Sequence, residues 1–192
     1  MIKLFYDLET TGTDFRKHSI IQIGGVLELD GKVLEVIDFK MRPHPKAIIE
    51  AGALRVNNKT EEEILAYPDW QTVQKQFTAW LSKYIDRFDK ESKIHLVGYN
   101  NRGFDDIFLR AWFDLCKDTY FGSWFWPDSL DVLVLASEYL LDRRSSMESF
   151  KLHRVASEIG LVFNKKDLHD AVADAWLTRD VYNIVTERMI EI

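Results

Sequence analysis

Hydrophobic residues follow two rhythms along this chain. Up to residue 41 they form short runs. Ile2 to Leu8 reads as a buried strand closed by the turn signal Thr11-Gly12-Thr13. Ser19 to Leu29 is apolar and β-branched, Asp30-Gly31 supplies a hairpin turn, and Val33 to Met41 returns as a third strand. From residue 70 a helical repeat takes over. Trp70, Val73, Phe77, Trp80, Leu81 and Tyr84 share one face of a helix predicted over Trp70 to Phe88. Ile94 to Tyr99 is a short apolar strand. Further helices are predicted over Phe104 to Cys116, Leu130 to Leu141, Phe150 to Ile159 and Asp170 to Ile190, with Gly160 as the C-cap of the third. Closely joined strands followed by alternating helices and strands predict one α/β domain over residues 1–192: a mixed sheet with an antiparallel three-stranded edge, flanked by helices. No repeat or low-complexity linker divides it. Pro127-Asp128 and Arg143 to Ser146 read as loops.

Composition narrows the classes. The 192 residues are 46% hydrophobic and 13% aromatic, enough for a sizeable core. A net charge of −6 argues against a broad basic surface of the kind that binds duplex non-specifically. Nucleic acid stays open as a partner, because a carboxylate-rich metal site is negative until cations load it. Cys116 is the single cysteine, so no intrachain disulfide forms, and its apolar helical surroundings suit packing. The N-terminus lacks the apolar core and cleavage site of a signal peptide, and no apolar run is long enough to span a bilayer. The expected location is the cytoplasm, away from membranes. There is no Cys/His zinc pattern, no Gly-x-x-x-x-Gly-Lys phosphate loop and no Gly-x-Ser-x-Gly elbow.

Three strings carry the candidate chemistry: Asp7-Leu8-Glu9-Thr10-Thr11-Gly12, Asn101-Arg102-Gly103-Phe104-Asp105 and His169-Asp170-Ala171-Val172-Ala173-Asp174. Asp7 and Glu9 are two apart at a strand end and point to one side. Close carboxylates resist joint ionisation unless a cation lies between them, and a hard divalent cation wants such oxygens. A solvated strand end has the same spelling. The apolar strand before Asp7 favours a partly buried carboxylate, which needs a partner. Asp105 follows a strand whose carboxyl end is where α/β sheets place ligands. It also begins a helix, where a negative charge is favoured by the dipole, and Asp106 rivals it for either role. Asp174 lies in the first turns of the last helix, within reach of Asp7. Histidine as a residue type suits a general base, which makes His169 a candidate; a helix cap or surface histidine is the plainer alternative. His18, His44, His95 and His153 lack ligand spacing and read as structural or surface residues.

Together these strings resemble the 3′→5′ exonucleases named after their Asp-Glu-Asp-Asp site, in the branch that carries a histidine. The resemblance covers most of the chain, in order and spacing, and extends to Ser149-Phe150-Lys151-Leu152. Gly98-Tyr99-Asn100-Asn101 and His169-Asp170-Ala171 look most like bacterial exonuclease I, which degrades single-stranded DNA. Exonuclease I carries further domains that help enclose the strand. None follows Ile192 in this sequence, so the resemblance does not carry over high processivity or strict DNA preference. Gln22 stands where many relatives have Glu.

The resemblance implies an RNase H-like fold and a mechanism with two divalent cations, Mg²⁺ or Mn²⁺. It implies that Asp7, Glu9 and Asp174 hold one cation, that Asp7 and Asp105 serve the second, and that His169 takes the proton of the attacking water. It places Thr10, Thr11, Gly12 and Asn101 at the substrate. Leu54, in Ala53-Leu54-Arg55-Val56-Asn57, resembles the segment that wedges against terminal bases, although a core role fits it as well. The expected partner is single-stranded nucleic acid, DNA before RNA. The alternatives are an exoribonuclease or short-oligonucleotide nuclease, a non-catalytic binding module, and a proofreading subunit on a polymerase.

Other residues are weaker candidates. Trp80, Trp112 and Trp176 fall in helical patterns and suit the core. Trp124 and Trp126 flank Phe125, so strand alternation sends one face inward and the other outward. Arg143-Arg144 is a candidate phosphate contact or a solvated loop.

Overall fold

The hairpin signals place the first layer of the protein. In the structure, a computed structural model that describes residues 1–164 and 169–190, β1 (Ile2–Thr10) pairs antiparallel with β2 (Ile20–Leu29), and β2 with β3 (Lys32–Lys40). Residues 165–168 and 191–192 of the expected 1–192 domain lie outside the described residues. Asp30 and Gly31 form the two-residue turn with φ of 49° and 84°. Both values are positive, as a turn matched to strand twist requires.

Beyond β1 the sheet becomes parallel. β4 (His95–Gly98) lies beside β1, and β5 (Leu130–Asp131) lies beside β4, giving the five-stranded order β3-β2-β1-β4-β5. The antiparallel three-stranded edge is therefore present. The helices are α1 (Ala51–Val56), α2 (Glu61–Leu65), α3 (Trp70–Leu81), α4 (Asp105–Leu115), α5 (Phe121–Trp124), α6 (Val132–Tyr139), α7 (Leu152–Glu158) and α8 (Ala171–Ile190). Short 3₁₀ turns occupy Asn101–Gly103 and Leu141–Ser146.

Helices cover both faces of the sheet. Leu4, Tyr6 and Leu8 of β1 pack with Phe77, Trp80, Phe108 and Trp112 of α3 and α4. Phe5 packs on the other face with Val132, Val155, Val181 and Val185 of α6, α7 and α8. No helix among the described residues is long and apolar enough to cross a membrane.

Several element limits differ from the sequence reading. The helix expected to reach Phe88 ends at Leu81. The Ser82 hydroxyl bonds back to the Thr78 carbonyl at 2.9 Å, and the Asp86 and Asp89 carboxylates accept the Phe88 and Glu91 amides at 3.0 and 2.9 Å. Such local bonds compete with helix. The helix expected from Leu130 starts at Val132, because Leu130 and Asp131 pair with β4 and Asp131 then caps α6 by accepting the Leu133 amide at 3.0 Å. Trp124 lies in α5 rather than in an alternating strand and is buried, while Trp126 is half-buried and stacks on His95 at the pole opposite Asp7. Trp80 and Trp112 are core, as their periodicity suggested.

Candidate active site

Alternation along β1 decides what each side chain faces. Leu4, Tyr6 and Leu8 point to the α3–α4 side, so Phe5, Asp7 and Glu9 point to the α8 side. Asp7 then lies opposite Gly24 on β2, and Glu9 opposite Gln22. A Cβ on Gly24 would come within 2.2 Å of the Ala171 carbonyl carbon and 2.3 Å of the Val172 nitrogen. The missing side chain lets the first turn of α8 rest directly on the sheet. Asp170 caps that turn, its Oδ1 accepting the Val172 and Ala173 amides at 3.1 and 3.2 Å. One turn later Asp174 meets Asp7 and Glu9. One carboxylate oxygen from each of the three lies within 4.8 Å of the others.

Asp105 arrives from α4. Its Oδ1 accepts the Leu8 amide at 3.2 Å, which holds it against β1 beside Asp7. Its rival is engaged elsewhere. The Asp106 carboxylate accepts from the Asn101 amide group at 3.1 Å and from the hydroxyls of Tyr6 and Ser129. Of the adjacent pair, Asp105 adjoins the carboxylate cluster and Asp106 ties α4 to β1.

The cluster carries more negative charge than its surroundings tolerate. Burial pushes the Glu9 carboxyl from 4.5 up to about 8, with Asp174, Asp170 and Asp105 adding to the rise and Lys59 opposing it. Burial lifts Asp174 from 3.8 to about 6, against the His169 amide, which donates to Asp174 Oδ2 at 3.2 Å. Asp7 is held well above the usual carboxylate range by burial and by Asp105, Glu9 and Asp174. Asp105 is raised chiefly by burial. Carboxylates so placed cannot all ionise without a cation among them. An all-oxygen donor set of this kind fits a hard divalent cation.

His169 stands at the rim. It is exposed, and its backbone is left-handed at φ 67°. A cavity of about 450 Å³ opens beside it, with Tyr99, Asn100, Phe150, Leu152 and Asp174 in its walls. The Tyr99 hydroxyl donates to the Phe150 carbonyl at 2.6 Å, and the Arg144 guanidinium lies 3.8 Å from the Phe150 ring centre. Arg143 pairs with Glu158 at 3.3 Å.

The residues expected at the substrate line the end of β1, and several use their side chains within the protein. Thr10 Oγ1 donates to the Gly12 carbonyl and Thr11 Oγ1 to the Ile48 carbonyl, both at 2.7 Å. Gly12 is crowded by the His18 ring, which a Cβ would meet at 2.5 Å. Leu54 is buried on α1 against Ile21 and Ile64. Asn57 ties α1 to the site, donating to the Thr10 carbonyl at 2.9 Å. Asn101 is fully buried, with Nδ2 on Asp106 and Oδ1 lacking a partner among the described residues.

Sequence reasoning did not single out Gly24, Asp170 or the position of Gln22 between two carboxylates. Gln22 Nε2 donates to Asp38 Oδ1 at 2.9 Å and to Asp170 Oδ2 at 3.3 Å. Two signals were present. Gly24-Gly25 inside an apolar strand marks a close backbone approach, and an Asp directly before a helix marks an N-cap.

Comparison with known proteins follows the same lines. A model of the RNase_T exonuclease family matches residues 4–182. The DNA polymerase III subunit epsilon of Rickettsia conorii is 26% identical over 181 residues, covering 94% of this chain and 71% of that protein. That of Pasteurella multocida is 25% identical over 194 residues, covering 96% and 68%. Among solved structures, the zinc-bound E. coli exonuclease I–single-stranded DNA complex superposes with a TM-score of 0.79 at 22% identity, over 97% of this chain and 40% of that one. The chain thus spans about two fifths of that exonuclease I chain. The likeness supports the RNase H-like arrangement expected from the motifs, with strand order β3-β2-β1-β4-β5.

Proposed function

The chain belongs to the RNase_T exonuclease family, and from that premise we propose that it is a metal-dependent 3′→5′ exonuclease acting on single-stranded DNA as one domain over residues 1–192. The observation that carries this reading is the meeting of Asp7, Glu9 and Asp174, with oxygens within 4.8 Å of one another. Two segments far apart in sequence, the end of β1 and the start of α8, converge there at the cost of mutual repulsion. A module that only bound nucleic acid would gain nothing from carboxylates facing phosphate.

In this reading Asp7, Glu9 and Asp174 would hold one divalent cation, and Asp7 with Asp105 would hold a second. When bound, Mg²⁺ or Mn²⁺ supplies Lewis acidity that stabilises the attacking and leaving oxygens of a phosphodiester and acidifies water. The His169 imidazole, exposed at the rim, accepts the proton of the attacking water. The His169 amide keeps Asp174 in place, and the Leu8 amide does the same for Asp105. Thr10, Thr11 and Gly12 border the terminal nucleotide on a turn that Thr11 fixes through its backbone bonds to Ser19 and Glu50, Leu54 bounds it, and Asn101 supports the wall through Asp106. The product is a nucleoside 5′-monophosphate and a strand shorter by one residue.

Single-stranded DNA is supported by the solved neighbours, E. coli exonuclease I in complex with single-stranded DNA and with a dT13 oligonucleotide. The likeness to DNA polymerase III epsilon subunits favours a second reading, a proofreading exonuclease working beside a polymerase. A time course on 3′- and 5′-labelled single-stranded DNA and matched RNA, with Mg²⁺, Mn²⁺ or EDTA, tests the proposal. Stepwise loss from the 3′ end of DNA, abolished by EDTA, is expected. Faster loss from RNA would make the protein an exoribonuclease, and no cleavage of either substrate would overturn the nuclease reading.

A further inference from the structure

A second charged feature lies on the α4 side of the site. Two cavities of about 490 and 390 Å³ run along the outer face of α4 and share Phe15, Ala111 and Asp114, so they form one groove. One end opens at Arg102 and Asp106, next to Asp105; the other lies at His44 and Lys46. Ile107, Arg110, Ala111 and Asp114 form its floor at helical spacing. The loop from Phe15 to Ser19 forms its wall.

The charge of the groove runs against that of the chain. Arg16, Lys17, Lys46, Arg102 and Arg110 are exposed around it in a protein of net charge −6. Among the described residues only Lys17 of these pairs with a carboxylate, Asp14 at 3.4 Å. Asp114 is the acidic side chain shared by both cavities. Arg16 lies 4.8 Å from the centre of the Phe15 ring, and Arg110 lies 4.2 Å from that of Phe121. Free cations beside a half-buried aromatic ring are the elements of a single-strand track: charge for the backbone, a ring face for an unpaired base.

We propose that this groove carries the single strand on the 5′ side of the bond being cut, with Arg16, Lys46, Arg102 and Arg110 on its phosphates and Phe15 stacking on a base. The proposal rests on the reading of the carboxylate cluster as the cutting site. That cluster repels phosphate outside the bond it acts on, so a bound strand needs positive charge close by. The groove begins one residue from Asp105. Each of its cavities has the volume of a small-ligand site, about 300–1,000 Å³.

The test is a length series of oligothymidylates, from dinucleotide to 16-mer, hydrolysed by the full chain and by the triple variant Arg16→Glu/Lys46→Glu/Arg110→Glu. Fluorescence anisotropy of a labelled 16-mer runs in parallel. In the wild type KM should fall with length and then level off. In the variant KM for the 16-mer should rise at least tenfold, with the dinucleotide kcat/KM unchanged. The slope of log Kd against log salt should weaken by about 2, as for three lost contacts on a single strand. A 16-mer KM or Kd within twofold of wild type would overturn the groove, as would an equal loss on the dinucleotide. If the wild type cuts nothing, the cleavage reading fails, and anisotropy with the same variant still decides whether the groove binds the strand. Lys46→Glu alone, on a loop outside every helix and strand, repeats the comparison should the triple variant not fold.

Discussion

Glu9 makes the metal-free protein sensitive to pH in a direction opposite to that of an ordinary salt-bridged carboxylate. Its pKa is raised from 4.5 to about 8 in the fold. Between those values the folded chain binds a proton that the unfolded chain has released. The stabilisation is complete below about pH 4.5 and is lost as pH rises through about 8. Between pH 5 and pH 8 the expected loss is about 3–4 kcal/mol from this group. Asp174, lifted to about 6, acts in the same direction. For a domain stable by about 5–15 kcal/mol this is a large share. A divalent cation bound among the carboxylates should reverse the effect, by about 2.7 kcal/mol at a hundredfold excess over its Kd. Urea unfolding followed by tryptophan fluorescence, at pH 5 and pH 8, in EDTA and in Mg²⁺, measures both quantities. Glu9→Gln isolates the group: in EDTA the variant should lose the Glu9 part of the pH dependence and be the more stable protein at pH 8. If wild type and Glu9→Gln fall in parallel between pH 5 and pH 8, the account of Glu9 is wrong.

Three further perturbations address the site. Asp7→Ala or Asp174→Ala should abolish turnover while leaving the far-ultraviolet circular dichroism unchanged, and near-normal activity in both variants would sink the metal assignment. His169→Ala should lower kcat by about 10²–10⁴-fold with little change in substrate affinity; a large affinity loss at nearly constant kcat would contradict the general-base role. Gly24→Ala should drive a Cβ into the Ala171–Val172 backbone, costing about 3 kcal/mol, or roughly 6–12 °C in Tm, together with activity. A melting temperature unchanged to within about 2 °C would mean that the α8 start does not depend on that contact.

The fold was most legible where local signals were strong. The β2–β3 turn was written in Asp30-Gly31, and the last helix, read over Asp170 to Ile190, starts at Ala171, one residue past its cap. The elements missed are those too short to show a period. α1, α2 and α5 run for 6, 5 and 4 residues, and β5 for 2. Such pieces are held by packing and caps rather than by propensity. The α3 limit failed because Tyr84 and Phe88 continue the apolar spacing, while the bonds that end the helix come from Ser82, Asp86 and Asp89. At the site, residue types and order were visible in the motifs. The division of labour between Asp105 and Asp106 was not. It depends on the Tyr6 hydroxyl, 100 positions away in sequence, and no local pattern encodes such a contact.

The way the carboxylates are held bears on what they can do. Neutral donors do most of the positioning: the Leu8 amide for Asp105, the His169 amide for Asp174, the Val172 and Ala173 amides for Asp170. Gln22 extends the pattern, placing one amide group between Asp38 and Asp170. Among the described residues, the His169 imidazole beside Asp174 and Lys59 beside Glu9 are the basic groups set against this charge, and Lys59 also pairs with Glu63 at 3.5 Å. Arginines or lysines paired directly to these carboxylates would have stabilised the chain more, and would also have occupied the oxygens and cancelled their charge. Amides fix geometry without supplying a full countercharge, so the repulsion remains available to favour a divalent cation. The instability of the metal-free cluster and its fitness for metal therefore have one physical origin.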